Sequence, residues 1–360
     1  MPLSLRPSLR ILILALLAFA ATARAEWQRT DTTLAWKAGD AVVWQFNFDA
    51  ASSGKPFFHP LGAVGGANVT ERAPSDHPWH YGLWFSWKYI NGKNYWEEDK
   101  VSGQPAGKTA WTAPVIATQP DGSATIKMAL TYINHDIPRV DMVESREIAV
   151  SAPDANGSYT IDWKARFVAG PEGALLDRTA MPGEPRGAYN GGYAGMSLRM
   201  APTGPAYVSL GGPITQFTYD GMPDQTRAGE RSRPDMPAMG FNFGTDGKPA
   251  GGIAFLSDRH NGITSGGGFS SLNNDVHNIG PSASGSNWYL INGPTQRPPF
   301  YFADQTILGP KPIQLAAGEK LDLRYRFVLS RAAWTADMLK AALATWPAEK
   351  PAAAPVSAAH

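Results

Sequence analysis

Hydrophobic and polar residues alternate over long stretches of this chain, and this pattern predicts β-strands. The clearest stretch is residues 158–167, where every second residue from Tyr159 is apolar or aromatic. Residues 321–329 show the same alternation after a turn at residues 317–319. Side chains two positions apart lie on the same face of a strand, so each stretch predicts a strand with one buried face.

Several further apolar runs support the same interpretation. They predict strands at residues 124–133 and 141–150, and a hairpin at residues 33–48 around a turn at 38–40. Only residues 335–345 indicate a helix. Strands with one apolar face bury it by packing sheet on sheet. The predicted fold is therefore all-β, a large antiparallel β-sandwich with one short C-terminal helix.

Two segments do not follow a strand pattern, residues 170–190 and 211–237. Long irregular loops in compact domains are often functional. The first leads into Tyr189-Asn190-Gly191-Gly192-Tyr193, where the glycines allow the backbone to approach a ligand closely. The alternative is a bulged entry into a strand. Tyr189, Asn190 and Tyr193 are candidate substrate-binding residues on the first interpretation.

The N-terminus has the three parts of a secretory signal peptide. Arg6 and Arg10 precede an apolar run at residues 11–23, and Ala23-Arg24-Ala25 provides small residues for cleavage after Ala25. The run is shorter than the roughly 20 residues that span a bilayer, and no later segment is long enough. We predict a periplasmic or secreted protein without a membrane span.

This prediction divides the chain into three parts. Residues 1–25 are the signal peptide, residues 26–347 form a single β-sandwich domain, and residues 348–360, rich in alanine and proline, form a disordered tail. Cleavage removes three arginines and no acidic residue, which leaves 29 basic and 31 acidic side chains. With nearly equal numbers of basic and acidic side chains, the chain lacks the excess positive charge that is typical of nucleic-acid-binding proteins. The chain has no cysteine, which excludes disulfides, thiolate nucleophiles and cysteine metal sites.

Residues 55–99 concentrate the candidate chemistry, because they contain three of the seven histidines. His59 and His77 directly precede Pro60 and Pro78, and His80 follows Pro78 by two positions, so prolines favour loop geometry around all three. On a strand, positions 77 and 80 would face opposite sides, but Pro78 permits a turn that brings both imidazoles together. With Glu97 nearby, these side chains are candidates for acid–base catalysis.

Other interpretations of the same residues stay open. His77 and His80 are also candidate ligands of a divalent metal, although HPWH matches no specific metal motif. A structural role for a histidine is a further alternative. Trp84 and Trp96 are candidates for stacking on a sugar ring, but most of the 12 tryptophans must belong to the core.

Four polar residues elsewhere are candidates for substrate binding. Arg72 and Arg199 are able to clamp a carboxylate or a pair of hydroxyls, and the alternative for each is an ordinary ion pair. Asp258 and Asn261 follow an apolar strand at residues 253–256, where loops build sites. A plain polar turn is the alternative for these two.

Six segments resemble the DUF6807 family, which is also labelled PmoA-like. They are KPFFHPL, DHPWHYGLWF, NGKNYWEED, GGYAGMSLRM, GIAFLSDRHN and GEKLDLRYRFVLS, and together they extend over most of the chain after residue 25. The resemblance implies a β-sandwich similar to the galactose mutarotase supersandwich. It also implies a protein that accompanies carbohydrate-degrading enzymes and sugar oxidoreductases.

These observations predict an exported carbohydrate-active enzyme that cleaves or rearranges a glycoside or an oxidised sugar. His59, His77, His80 and Glu97 would supply acid–base or metal-assisted chemistry, and a hydrolase or lyase is favoured over a mutarotase. One alternative is a non-catalytic glycan-binding protein, and another is a metal-dependent oxidoreductase. The predicted partner is a carbohydrate or sugar-derived small molecule, with the need for a metal and the oligomeric state left open.

Overall fold

The computed structural model describes residues 25–99, 101–181, 183–211, 214, 230–245, 248–258, 261–265, 268–271, 288–309 and 311–346. Strands make up 51% of the structure and helix 4%, which confirms the predicted all-β class. The predicted signal peptide before residue 25 and the predicted tail at residues 348–360 lie outside the described residues. No helix among those residues is long and apolar enough to cross a membrane.

Nine strands form the first large sheet, which we call sheet A. In chain order they are β1 Ala25–Arg29, β2 Thr33–Ala38, β3 Ala41–Asn47, β4 Phe57–Leu61, β5 Leu83–Ser86, β14 Gly195–Arg199, β16 Arg231–Ser232, β21 Trp288–Gly293 and β22 Phe300–Thr306. Their spatial order is β1-β2-β3-β4-β5-β14-β22-β21-β16. The turn at Gly39 joins β2 to β3, as the hairpin pattern predicted.

Eleven strands form the second large sheet, sheet B. In chain order they are β8 Gly107–Trp111, β9 Val115–Thr118, β10 Ala124–Asn134, β11 Arg139–Val150, β12 Tyr159–Ala169, β15 Ala206–Val208, β17 Ala238–Thr245, β18 Lys248–Ser257, β19 Gly262–Ser265, β20 Gly268–Ser271 and β24 Lys320–Ser330. The main order is β15-β17-β18-β24-β12-β11-β10-β8, while β9 pairs with β10 and β19 pairs with β20 and β24. These pairings are antiparallel.

A small sheet and a helix complete the described elements. The small sheet contains β6 Tyr89–Ile90, β7 Lys93–Asn94, β13 Ala174–Asp177 and β23 Ile313–Leu315, in the order β23-β13-β6-β7. Helix α1, Ala336–Thr345, lies where the sequence predicted it. The Thr335 hydroxyl caps this helix by accepting a hydrogen bond from the Met338 amide, and Leu339 is buried.

Sheets A and B pack face to face around one hydrophobic core. Phe58 of sheet A lies 6.4 Å from Trp163 of sheet B between ring centroids, and Phe85 lies 5.2 Å from Phe167. Burial of such large apolar groups is the main favourable contribution to folding. The predicted antiparallel β-sandwich is confirmed.

Sheet A also has a buried outer face, on the side opposite the core. Strand β22 shows why, because Tyr301 and Ala303 belong to the core while Phe300 and Phe302 point to the other side. Aromatic and apolar residues of this side form a second group, which we call the outer aromatic cluster: Phe57, Tyr81, Trp84, Trp96, Tyr289, Ile291, Phe300 and Phe302.

Candidate functional site

A cavity of about 240 Å³ lies on the outer face of sheet A, against the outer aromatic cluster. It is lined by His77, Trp79, His80, Trp96, Glu97, Tyr189, Asn190, Tyr193, Arg231, Tyr289, Ile291, Gln296, Phe300 and Phe302. Four separate parts of the chain, around residues 77–80, 96–97, 189–193 and 231, meet there with strands β21 and β22. Sites with a few convergent polar groups in an aromatic surround commonly bind small molecules.

The His77–His80 turn places both imidazoles on the cavity wall. The His80 amide donates a hydrogen bond to the His77 carbonyl at 3.0 Å, with Pro78 at the second position of the turn. Proline favours this position because its ring fixes φ near the value that the turn requires. The two rings stack with centroids 4.7 Å apart and planes 30° apart. The turn expected from the sequence is therefore present.

Asp76 orients the His77 ring. The His77 Nδ1 atom lies 2.8 Å from Asp76 Oδ2. Burial raises the pKa of the Asp76 carboxyl, but the hydrogen bond from His77 and the positive charge of Arg199 outweigh it, and the pKa is lowered overall. Because an ionised carboxylate only accepts hydrogen bonds, we assign Nδ1 as the donor and leave the lone pair on Nε2.

His80 has a different environment, although it follows three positions later. Its side chain is buried and stacks on Phe302 at a centroid distance of 5.1 Å. Burial first, and then the nearby charges of His77 and Arg199, lower the pKa of His80 well below 6.5. The ring is therefore neutral near pH 7. Its Nδ1 atom has no hydrogen-bond partner among the described residues.

Glu97 supplies a carboxylate to the cavity. It accepts hydrogen bonds from the Tyr193 hydroxyl at 2.6 Å, from Asn94 Nδ2 at 2.7 Å, and from the Lys88 ammonium. Burial raises the pKa of the Glu97 carboxyl, but Lys88 and these hydrogen bonds lower it overall. Glu97 is therefore an anionic acceptor rather than a proton donor near neutral pH.

The glycines at positions 191 and 192 allow the chain to pack on itself. A Cβ atom at Gly191 would lie 1.9 Å from the Ala180 carbonyl oxygen. The Gly192 amide donates a hydrogen bond to the Thr179 carbonyl at 2.8 Å. Glycine is needed here because two backbone segments touch. This close packing holds Tyr189, Asn190 and Tyr193 at the cavity.

Residues that the sequence interpretation did not select complete the cavity. Arg231 donates a hydrogen bond from Nε to the Tyr289 hydroxyl at 2.9 Å, and its guanidinium lies 4.5 Å from the Tyr189 ring centroid. The other unselected residues are Trp79, Ile291, Gln296, Phe300 and Phe302. A sequence signal for these strands was available, since residues 288–291 and 300–303 are apolar or aromatic at consecutive positions, which is typical of strands with both faces covered.

His59 lies outside the cavity, contrary to the expected grouping of three histidines. Its Nδ1 atom is 2.9 Å from the Thr70 hydroxyl. Burial and the charge of Arg72 lower the pKa of His59 to about 4. His59 lies on strand β4, whereas His77 and His80 lie on a turn between β4 and β5. The three histidines of residues 55–99 therefore do not share one site.

The described residues contain no group of three or more histidine, aspartate or glutamate side chains placed to hold a metal ion. His77 Nδ1 is engaged with Asp76. The described donor set does not fit the metal site that the sequence left open.

Arg72, Arg199 and Trp84 do not line the cavity. Arg72 is exposed, with its guanidinium 5.4 Å from the Phe57 ring centroid. Arg199 is fully buried and pairs with Glu71 at 2.7 Å, behind the cavity wall. Trp84 is fully buried beneath His80, at a ring distance of 5.2 Å. Arg199 and Trp84 thus have the structural roles considered for them, an ion pair and a place among buried residues, whereas Arg72 contacts an aromatic ring.

Asp258 and Asn261 follow strand β18 of sheet B, and neither lines the cavity on sheet A. Asp258 forms an ion pair with Arg324 at 2.8 Å. Asn261 accepts a hydrogen bond from the Arg324 amide at 2.6 Å and donates one to the Ser257 hydroxyl at 3.1 Å. These contacts tie the end of β18 to β24, so the expected binding role has no support from their position.

Most of this chain matches the model of a protein family. The model of DUF6807, a family of unknown function, matches residues 33–344. No curated protein matches the chain.

Several solved structures share a distant likeness. An α-galactosidase from Lactobacillus brevis is 10% identical, with a TM-score of 0.42 over 86% of this chain and 40% of that protein. A putative mutarotase, YeaD, from Salmonella typhimurium is 10% identical, with a TM-score of 0.41 over 85% of this chain and 94% of that protein. The chain spans 41% of the α-galactosidase domain of AgaSK, at 9% identity. At these values the likenesses do not identify a function.

Proposed function

We propose a function for this chain, which belongs to the DUF6807 family of unknown function, from the chemistry of its cavity. It binds a carbohydrate or sugar-derived small molecule and transfers a proton on it, with His77 as the acid–base group. The observation that carries this proposal is the Asp76–His77 pair, whose imidazole lines a largely aromatic cavity beside the Glu97 carboxylate.

The size and lining of the cavity support a sugar ligand. Seven of its 14 lining residues are tryptophan, tyrosine or phenylalanine, whose flat faces suit the apolar face of a sugar ring. Glu97, Asn190 and Gln296 offer hydrogen-bonding groups for hydroxyls. A volume of about 240 Å³ is below that of sites for drug-sized molecules, which favours one ring over a long chain.

Proton transfer fits the described side chains better than glycoside hydrolysis does. Hydrolysis usually needs two carboxyl groups across the bond, one of them protonated. Glu97 is the one carboxyl group among the described lining residues, and its lowered pKa keeps it ionised. An imidazole takes up and releases protons near neutral pH, which elimination or epimerisation requires. We therefore favour a lyase or epimerase over a hydrolase.

Asp76 gives His77 two properties of a catalytic base. By accepting the Nδ1 proton, its carboxylate leaves the Nε2 lone pair free for the substrate. The same hydrogen bond also fixes the orientation of the ring. The hydrogen bonds to Glu97 from Tyr193 and Asn94 hold that carboxylate in place to accept a substrate hydroxyl.

The test is a substrate screen in heavy water, followed by nuclear magnetic resonance. Mono- and disaccharides, uronic acids and keto sugars are each incubated with the protein, and spectra report deuterium uptake, elimination or cleavage. His77→Gln should slow the observed reaction by about 100-fold or more, the usual worth of a general base. His135→Gln is the matched control, because His135 is exposed on the turn between β10 and β11. Equal rates in wild type and His77→Gln would refute the proposed role.

The aromatic lining also supports a second candidate, a glycan-binding protein without catalysis. Stacking platforms need aromatic faces and amides more than titratable groups. Calorimetry with the same panel distinguishes the two functions. Binding that is lost in a Trp79→Ala variant, with no turnover of any bound sugar, would favour the binding protein.

A further inference from the structure

We propose that the ligand carries a ketone or aldehyde carbonyl next to the carbon that exchanges its proton with His77, and that His80 donates a hydrogen bond to the carbonyl oxygen. This inference rests on the proposed function and names the substrate class. It makes His80 a second catalytic residue of the cavity and restricts the substrates to oxidised or open-chain sugars.

The unsatisfied ring of His80 is the first observation. The side chain is 4% exposed, lines the cavity, and is enclosed by Phe302 and Trp84. Here Nδ1 has no partner among the described residues. A ligand in the cavity would meet the other nitrogen, Nε2.

The burial pattern favours the tautomer that donates from Nε2. A buried N–H donor without a partner is rarer in proteins than a buried acceptor with a free lone pair. Placing the single proton of the neutral ring on Nε2 leaves only an acceptor enclosed at Nδ1. His80 then presents an N–H donor to the cavity.

The neutral state of this ring also matters for the chemistry. Burial and the neighbouring charges keep the pKa of His80 well below 6.5. A neutral donor stabilises a negative oxygen as it develops, without requiring a proton from solvent. A neutral imidazole is an established electrophile for carbonyl polarisation in other enzymes.

The spacing of the two imidazoles fits an α-hydrogen and a carbonyl oxygen, which are bonded to neighbouring carbon atoms of the sugar. Stacking at 4.7 Å holds His77 and His80 side by side, and the turn between them fixes this arrangement. A base reaches a C–H group, and a donor reaches an oxygen, at roughly 3 Å each. The α-hydrogen and the carbonyl oxygen of one sugar are therefore accessible to one ring each.

The step conserves atoms and electrons. His77 Nε2 takes the proton from the α-carbon, and the C–H electron pair forms a carbon–carbon double bond. The carbonyl π pair moves to oxygen, which becomes an enolate that accepts the hydrogen bond from His80. His77 then returns a proton to the face from which it took one, which exchanges the α-hydrogen with solvent. Alternatively, the enolate oxygen pair re-forms the carbonyl and the enolate double-bond pair becomes a double bond between the α- and β-carbons. An oxygen substituent on the β-carbon then leaves with its bonding pair and takes up the proton that His77 holds.

Matched pairs of sugars test this inference. Each pair contains a keto sugar and its alcohol parent, for example 1,5-anhydro-D-fructose and 1,5-anhydro-D-glucitol, and deuterium exchange next to the carbonyl is followed by magnetic resonance. We expect exchange in keto sugars and no reaction in their parents. His80→Phe should slow exchange by about 100-fold, the usual effect of removing one oxyanion donor.

A second variant separates hydrogen bonding from packing. His80→Gln keeps an N–H donor and should recover part of the rate that His80→Phe loses, while melting temperatures show that both variants fold. Unchanged exchange in His80→Phe, or no exchange with any keto sugar, would overturn the inference. Turnover of a carbonyl-free glycoside that depends on His77 but not on His80 would also overturn it, while leaving the proposed function intact.

Discussion

Two histidines three positions apart differ in what their surroundings allow each imidazole to do. His77 is 30% exposed at its side chain and has a carboxylate on Nδ1, so its other nitrogen is available as a base. His80 is enclosed by aromatic rings and stays neutral. At this scale, burial and one hydrogen bond assign different chemistry to identical side chains.

A third titratable residue lies directly behind the cavity. Asp304, on strand β22, is fully buried and accepts hydrogen bonds from the Ala194 amide at 2.9 Å and the Ser197 hydroxyl at 2.8 Å. Burial raises the pKa of this carboxyl from 3.8 to about 7, although both hydrogen bonds oppose the change. Asp304 therefore anchors the residue that follows Tyr193.

We expect Asp304 to make the protein less stable as pH rises from about 4 to 7. In that range the unfolded state loses the Asp304 proton while the folded state keeps it, so the free energy of unfolding falls with pH, by roughly 1.4 kcal/mol per unit of pKa difference. Asp304→Asn removes this titration. Urea unfolding at several pH values should show Asp304→Asn gaining stability relative to wild type from pH 4 to pH 7. A constant difference between the two proteins would contradict the raised pKa.

Among the structural elements, short turns determine the geometry of the site more than the strands do. The chain makes a turn from Pro74 to His77 and another from His77 to His80, each closed by one backbone hydrogen bond of 3.0 Å. Strand β5 follows directly after Gly82, whose Cβ would lie 2.5 Å from the Phe58 carbonyl oxygen. Turns of this kind place side chains through backbone geometry, without needing a partner for each one.

Pro78→Ala tests the role of the second turn. The substitution adds backbone freedom to the unfolded chain and should lower stability by about 0.4–1 kcal/mol. It should also weaken ligand binding and turnover several-fold, because the two imidazoles lose their fixed spacing. The matched control is Pro120→Ala, since Pro120 has the same place in an exposed turn closed by Gly122 and Gln119. Thermal melting and titration calorimetry measure both effects, and equal binding in the two variants would contradict this role for Pro78.

In the molecule as a whole, the two faces of sheet A have different roles. The inner face packs on sheet B and supplies stability, while the outer face carries the aromatic cluster and the cavity. Helix α1 packs against the other side of sheet B, with Leu339 and Trp334 near Ala254 and Leu256. A rigid sheet beneath a site limits the movement of the side chains that line it.

Export remains a prediction at the scale of the whole molecule. Expression of the 360-residue chain in a bacterial host should yield a protein outside the cytoplasm that begins at Glu26, because residues 1–25 have the charged, apolar and small-residue parts of a signal peptide. Intact mass measurement after cell fractionation checks both points. A chain lacking residues 2–25 is the control and should stay in the cytoplasm. An uncleaved chain in the cytoplasm would refute the prediction. Cleavage after Ala25 leaves Glu26–Arg29 to pair with β2.

Local patterns in the sequence determined the fold class and the positions of the main strands. Strands β10, β11, β12 and β24 lie within two residues of the predicted bounds, because period-two alternation records which side faces the core. The histidine turn was also predictable, since Pro78 biases the backbone locally. Local chemistry was sufficient wherever the interacting residues are neighbours in the chain.

Only the tertiary structure decided which candidates share a site. The cavity brings His77 together with Arg231, Tyr289 and Phe300, which lie more than 150 positions further along the chain. No local sequence pattern predicts that residues so far apart line the same cavity. The tertiary structure also pairs His59 with the Thr70 hydroxyl and forms the ion pairs Arg199–Glu71 and Asp258–Arg324. Sheet pairing and the packing of outer loops determine these partners, because a side chain's hydrogen bonds and burial depend on segments that are distant in sequence.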